Sequence, residues 1–131
     1  MEDKRNNLVV IVAGYKNEMA GFINNNPGLK SRFNLYIDFA DYSNNELLKI
    51  FNQLLNEHHL TIEDLALARL VKLFDILRSR SAHFANGREV RNIYEGLLKI
   101  MALRIGQDDS NMSLITELDV IEYTLQLKNT I

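Results

Sequence analysis

The hydrophobic and polar positions change their spacing along the chain, and each change predicts a different element. Leu8-Val9-Val10-Ile11-Val12-Ala13 is an unbroken apolar run rich in β-branched residues. It is too short for a typical helix and suits a strand buried on both faces. Asn17 to Asn25 carries Met19, Phe22 and Ile23 at helical spacing. Leu35, Ile37 and Phe39 then alternate with Tyr36 and Asp38, the period of a strand with two unlike faces. Residues 1–41 therefore read as strand, crossover helix and strand, a fragment of an α/β layer.

From Tyr42 the period becomes helical and stays so, which makes residues 42–131 an all-α part and the chain mostly helical. Ser43 followed by Glu46 is a capping box that starts a helix. Leu47, Leu48, Ile50, Phe51, Leu54 and Leu55 give that helix one apolar face as far as His58-His59. Thr61 with Asp64 repeats the start signal, and Leu65, Leu67, Ala68, Leu70, Val71, Phe74 and Leu77 continue to about Ser79. Asn86 with Glu89 opens a third helix carrying Val90, Ile93, Tyr94, Leu97, Leu98, Met101 and Leu103 to about Ile105. A polar turn over 106–111 precedes Thr116 with Asp119, which opens a fourth helix through Val120, Ile121, Tyr123, Leu125 and Leu127. Four amphipathic helices on short loops predict a small bundle.

Composition narrows the function classes. With 47% hydrophobic and 24% charged residues over 131 positions, the chain can bury one core. A net charge of −2 without a basic stripe argues against nonspecific binding to nucleic acid or an anionic membrane. Zero cysteines remove any disulfide framework or thiolate metal site and suit a reducing cytoplasm. The early apolar run is below the length of a membrane span.

Few side chains are placed for chemistry. Pro27 disfavours helical geometry at Asn26 and Gly28 permits positive φ, so a loop delivers Lys30, Ser31 and Arg32 directly before the second strand. Gly14-Tyr15 closes the first strand, with Gly14 suited to a tight exit turn. Arg88 falls in the first turn of the third helix, where free amides and the helix dipole favour an anion. Arg91 could also reach an anion or pair with Glu95 at i,i+4. His58 and His59 point about 100° apart on a helix and cannot chelate one ion together. No metal site is expected, and His83 with Ser81 and Asp75 or Asp64 lacks any nucleophile elbow.

Three ordered blocks carry a resemblance. They are Leu8 to Tyr15, then Asn26-Pro27-Gly28-Leu29-Lys30-Ser31-Arg32-Phe33, then Phe39-Ala40-Asp41-Tyr42-Ser43 with Glu46-Leu47. A fourth is Phe84-Ala85-Asn86-Gly87-Arg88-Glu89-Val90-Arg91-Asn92. Together they resemble the C-terminal half of an AAA+ ATPase of the branch containing red-type rubisco activase and stage V sporulation protein K. The resemblance implies that residues 1–41 are the end of the nucleotide-binding α/β domain and residues 42–131 its helical lid. It further implies Arg32 as an arginine finger acting on a neighbour's nucleotide and Tyr15 at the sensor 1 position, where asparagine or threonine is commoner. Arg88 takes the sensor 2 position with Arg91 as the alternative, although Ala85 and Gly87 stand where the branch usually has Gly and Ala.

The glycine-rich phosphate loop and the acidic magnesium strand of that family would lie upstream of Met1, so the chain is expected to be a fragment. ATP and Mg2+ are then cofactors of the complete protein, bound only poorly by this chain alone. The implied partners are its own N-terminal half, neighbouring subunits of a hexameric ring and a protein substrate, in the cytoplasm. The competing reading is a helical protein-interaction module without ATPase activity. In the resembled fold another strand lies between the two strands here, so an isolated copy is expected to expose strand edges and apolar faces.

Overall fold

Each predicted start signal was a claim about where backbone N–H groups find partners, and the computed structural model answers each claim. It describes residues 7–106 and 112–130. The elements are α1 (Lys16–Asn24), α2 (Leu29–Arg32), α3 (Asn44–Glu57), β1 (Thr61–Ile62), α4 (Asp64–Arg80), α5 (Gly87–Ile105), β2 (Leu114–Ile115) and α6 (Glu117–Asn129). The chain divides into two compact units between Ala40 and Asp41.

In the first unit, α1 begins after Tyr15, whose carbonyl accepts from Met19 N–H at 2.8 Å. Ile23 is its buried side chain. The apolar runs at 8–13 and 35–39 join no ladder among the described residues; Ile11 is 85% exposed and Phe39 89%. The two strands expected here therefore do not form among the described residues, since a strand needs a neighbour to bond with. Lys16 Nζ reaches Asp38 Oδ2 at 2.8 Å, and that bond raises the lysine pKa. With both groups exposed, the pair adds little to stability.

The second unit is the helical bundle. Ser43 caps α3 with a complete capping box: its Oγ accepts from Glu46 N–H at 3.3 Å and its own N–H donates to Glu46 Oε2 at 2.8 Å. Those bonds hold the Glu46 carboxyl below its usual pKa. Thr116 and Asp119 form the second complete box, at the start of α6. Between them Leu47, Phe51, Leu70, Phe74, Val90, Ile93, Leu97, Ile115 and Val120 make a continuous buried core.

Two expected starts take another form. The helix expected from Thr61 begins at Asp64, because Thr61 belongs to β1; its N–H and Oγ1 both donate to the Ser113 carbonyl. β1 runs parallel to β2, pairing Thr61 with Leu114 and Ile62 with Ile115. Asn86 does precede α5, but its side chain makes no cap. Of the turn expected at 106–111, positions 107–111 lie outside the described residues.

α5 and α6 approach closely where Gly96 meets Tyr123. A Cβ at Gly96 would overlap the Tyr123 ring, inside any allowed contact. Gly96→Ala should therefore overpack this crossing and lower stability by about 2 kcal/mol in urea unfolding. The same substitution in a Tyr123→Ala background should cost much less, because the obstructing ring is gone.

Candidate functional site

Four side chains carry the expected chemistry, two in each unit. In the first unit the backbone turns at Gly28, whose φ of 90° lies in the left-handed region. The residues after it do not form the expected open loop. Leu29–Arg32 is a single helical turn, α2, with Phe33 N–H donating back to the Leu29 carbonyl at 2.9 Å. Four residues are too few for a hydrophobic period to reveal such a turn. Ser31 Oγ donates to the Gly28 carbonyl at 2.9 Å and fastens the turn to its entry.

Arg32 is the exposed last residue of α2. Its guanidinium lies over Gly28, where an added Cβ would be 3.4 Å from Nη1. A side chain at 28 would thus both strain the backbone and crowd the arginine. Tyr15 is the N-cap of α1 and is 59% exposed.

In the second unit Arg88 is the second residue of α5 and is exposed. Its N–H donates to the Ala85 carbonyl at 3.0 Å across Asn86 and Gly87. Asn86 has φ 49° and ψ −117°, the geometry of the second residue of a type II′ turn. The helix therefore starts from a tight turn and carries Arg88 exposed in its first turn. Among the described residues neither Arg88 nor Arg91 has a side-chain ion pair or hydrogen bond. The Arg91–Glu95 pair allowed by their spacing does not form; both side chains are exposed and solvated. Beside Arg88, burial pushes the half-buried Glu89 carboxyl above its usual pKa.

A lone exposed arginine at the start of a long helix is chemically suited to a phosphate, since the helix dipole and the guanidinium act together. The donor set does not suit magnesium. Among the described residues no three His, Cys, Asp or Glu side chains come together to hold a metal ion. Among the described residues no helix is long and apolar enough to cross a membrane.

Residues 43–129 match the AAA lid domain family, which spans α3 to α6. The chain belongs to the AAA lid domain family. Among curated proteins it is 37% identical to stage V sporulation protein K of Bacillus subtilis over 83% of this chain and 34% of that protein. It is 36% identical to the CfxQ homolog of Galdieria sulphuraria over the whole chain and 43% of that protein. With CbbX of Cereibacter sphaeroides the identity is 40% over 70% of the chain and 29% of that protein. The chain thus spans less than half the length of these relatives. Its blocks are those of the C-terminal part of an AAA+ ATPase of this branch, which bears out the resemblance and the helical lid that followed from it.

Two residues with clear structural work were missed from sequence alone. Arg78, near the end of α4, donates to the Asn44 side chain and to the Tyr42 carbonyl, each at 2.9 Å, and lies 5.2 Å from the Phe84 ring centroid. Arg104 in α5 binds buried Asp119. The only signal for either was a basic residue near a helix C-terminus, which is ordinary.

Proposed function

We propose that this chain is the arginine-finger and lid portion of an AAA+ ATPase that couples ATP hydrolysis to remodelling of a protein partner. The observation that carries the reading is Arg88, exposed and without a counter-ion among the described residues at the start of α5 in a chain of the AAA lid family. Arg88 contacts the nucleotide's phosphates as sensor 2, and Arg91, one turn further on, is its weaker companion. Phosphate contact at α5 couples the lid to the state of the nucleotide.

Arg32 acts in trans. Phosphoryl transfer spreads negative charge over nonbridging oxygens, and a planar, permanently charged guanidinium from the neighbouring subunit stabilises that charge. Its place on α2, fixed by Gly28 and the Ser31 bond, keeps the side chain at a surface from which it can cross an interface. Tyr15 stands at the sensor 1 position, where its hydroxyl can orient water. ATP and Mg2+ bind to the complete protein, with the phosphate loop and magnesium ligands supplied by the N-terminal half. The assembly is a hexameric ring in the cytoplasm, acting on a protein, and the isolated chain is inactive.

The test supplies the N-terminal half, with its phosphate loop, in trans and measures ATP affinity of the assembly. Arg88→Ala should weaken binding roughly tenfold to a hundredfold, the loss of one charge-assisted contact. Unchanged affinity would remove Arg88 from the phosphate site. The second reading, a helical interaction module, draws on a groove of ≈ 260 Å³ between α4 and α6 lined by Lys72, Leu73, Ile76, Ile121, Leu125 and Lys128. Under that reading the N-terminal half restores no ATP binding at all.

A further inference from the structure

Asn86 holds a conformation that costs it energy. A non-glycine residue at φ 49° and ψ −117° occupies a region suited to glycine, and such strain persists only where the surroundings enforce it. What enforces it is the side chain. Asn86 Oδ1 accepts from Tyr42 N–H at 2.8 Å, while Nδ2 donates to Asp41 Oδ1 at 2.8 Å and to the Phe84 carbonyl at 3.0 Å. Three of the four hydrogen bonds open to a carboxamide are thereby used. Tyr42 is gripped from the other side as well, by Arg78 Nη2 on its carbonyl at 2.9 Å.

The gripped segment, Asp41 and Tyr42, is where the helical unit begins, directly ahead of the α3 cap at Ser43. The gripping residue stands two positions before Arg88 in the same tight turn, closed by the Arg88 N–H to Ala85 bond. Any displacement of the first turn of α5 must therefore move the carboxamide that holds the Tyr42 amide. Asp41 and Tyr42 are both exposed, so the polar bonds are a principal hold on this segment.

We propose that Asn86 is a positioning residue that transmits phosphate engagement at Arg88 to the segment at 41–42 where the lid begins. The proposal rests on the reading of Arg88 as a phosphate contact. By linkage, if ATP binding tightens the bond from Asn86 to Tyr42, that bond favours ATP binding by the same factor. Asn86 thus sets the coupling between nucleotide and lid entry and touches no nucleotide itself.

The experiment uses the assembly with its N-terminal half, ATP as the probe and amide hydrogen exchange at Tyr42 as the readout. In the wild type, ATP should slow Tyr42 exchange by about fivefold or more. Asn86→Gly relieves the backbone and removes all three side-chain bonds, so it should fold, still bind ATP, and lose the ATP-linked slowing at Tyr42. Asn86→Ala, which keeps the strain but not the bonds, should lose it too. A merely structural role would speed Tyr42 exchange equally with and without ATP, and that result overturns the inference. So does full ATP-linked slowing in Asn86→Gly while Arg88→Ala still loses ATP affinity, an outcome that leaves the proposed function standing. Unchanged ATP affinity in Arg88→Ala overturns both, and is read from binding alone.

Discussion

Arg32→Ala should lower ATP turnover of the assembled protein by about a thousandfold or more while leaving ATP affinity nearly unchanged. That is the scale on which a guanidinium supplied to a phosphoryl transition state acts, and the effect belongs to the rate because the charge it meets develops only there. Arg32→Lys should recover little, since a point charge on a flexible stem does not reproduce the planar fork. Under the proposed trans-acting role, mixing is decisive. Subunits lacking Arg32 but holding an intact phosphate loop should regain turnover beside subunits with the opposite defect. Full turnover by Arg32→Ala, or no recovery on mixing, would remove the trans-acting role. The substitution leaves folding intact, as Arg32 is exposed at the end of a short turn.

The largest stability effect should come from Asp119→Ala. Asp119 is 2% exposed, and its carboxylate takes Arg104 Nε at 3.0 Å, Arg104 Nη2 at 3.2 Å and the Thr116 N–H at 2.9 Å. Arg104 Nη2 also donates to the Leu114 carbonyl at 2.8 Å, so this one pair joins the end of α5, strand β2 and the start of α6. Removing the carboxylate leaves a mostly buried guanidinium uncompensated and the Thr116 N–H without its acceptor. The expected loss is about 3 kcal/mol, at the lower end for buried pairs because the arginine keeps some exposure. Urea unfolding should show a lower midpoint with an unchanged slope. A shift under about 1 kcal/mol would mean that the pair is solvated.

Local rules recovered the parts of this fold that are local. Ser43 with Glu46 and Thr116 with Asp119 act as the spacing says, because every partner lies within one turn. Thr61 with Asp64 carries the same spacing and fails, since the Thr61 hydroxyl is taken by Ser113, a partner far along the chain that no short window contains. α4 was read in the wrong phase in places: Leu65 and Ala68 are exposed, whereas Ala66 and Leu73 are buried. That helix is apolar on most sides, so period alone leaves its inward face undecided. In the same way Leu103 of α5 is 70% exposed and Ile100 is buried.

At the candidate site the arginines were legible only through the order of several blocks, never from their own neighbourhoods. Arg32 is preceded by Pro27-Gly28, which announces a turn but not the helical turn that follows. Asn86 looks like a cap residue and has cap chemistry, yet its bonds go to Asp41 and Tyr42. Nothing within four residues of Asn86 foretells a partner at the other end of two helices.

The two-residue ladder between β1 and β2 has a consequence for synthesis on the ribosome. Thr61 and Glu63 bond to Ser113 and Ile115, so the entrance to α4 is finished only after α5 and the following turn have emerged. At about 5 to 20 residues per second, the nascent bundle waits several seconds with Leu70, Leu73 and Phe74 lacking their last covering helix. Such a chain is exposed to chaperone capture until α6 has left the exit tunnel.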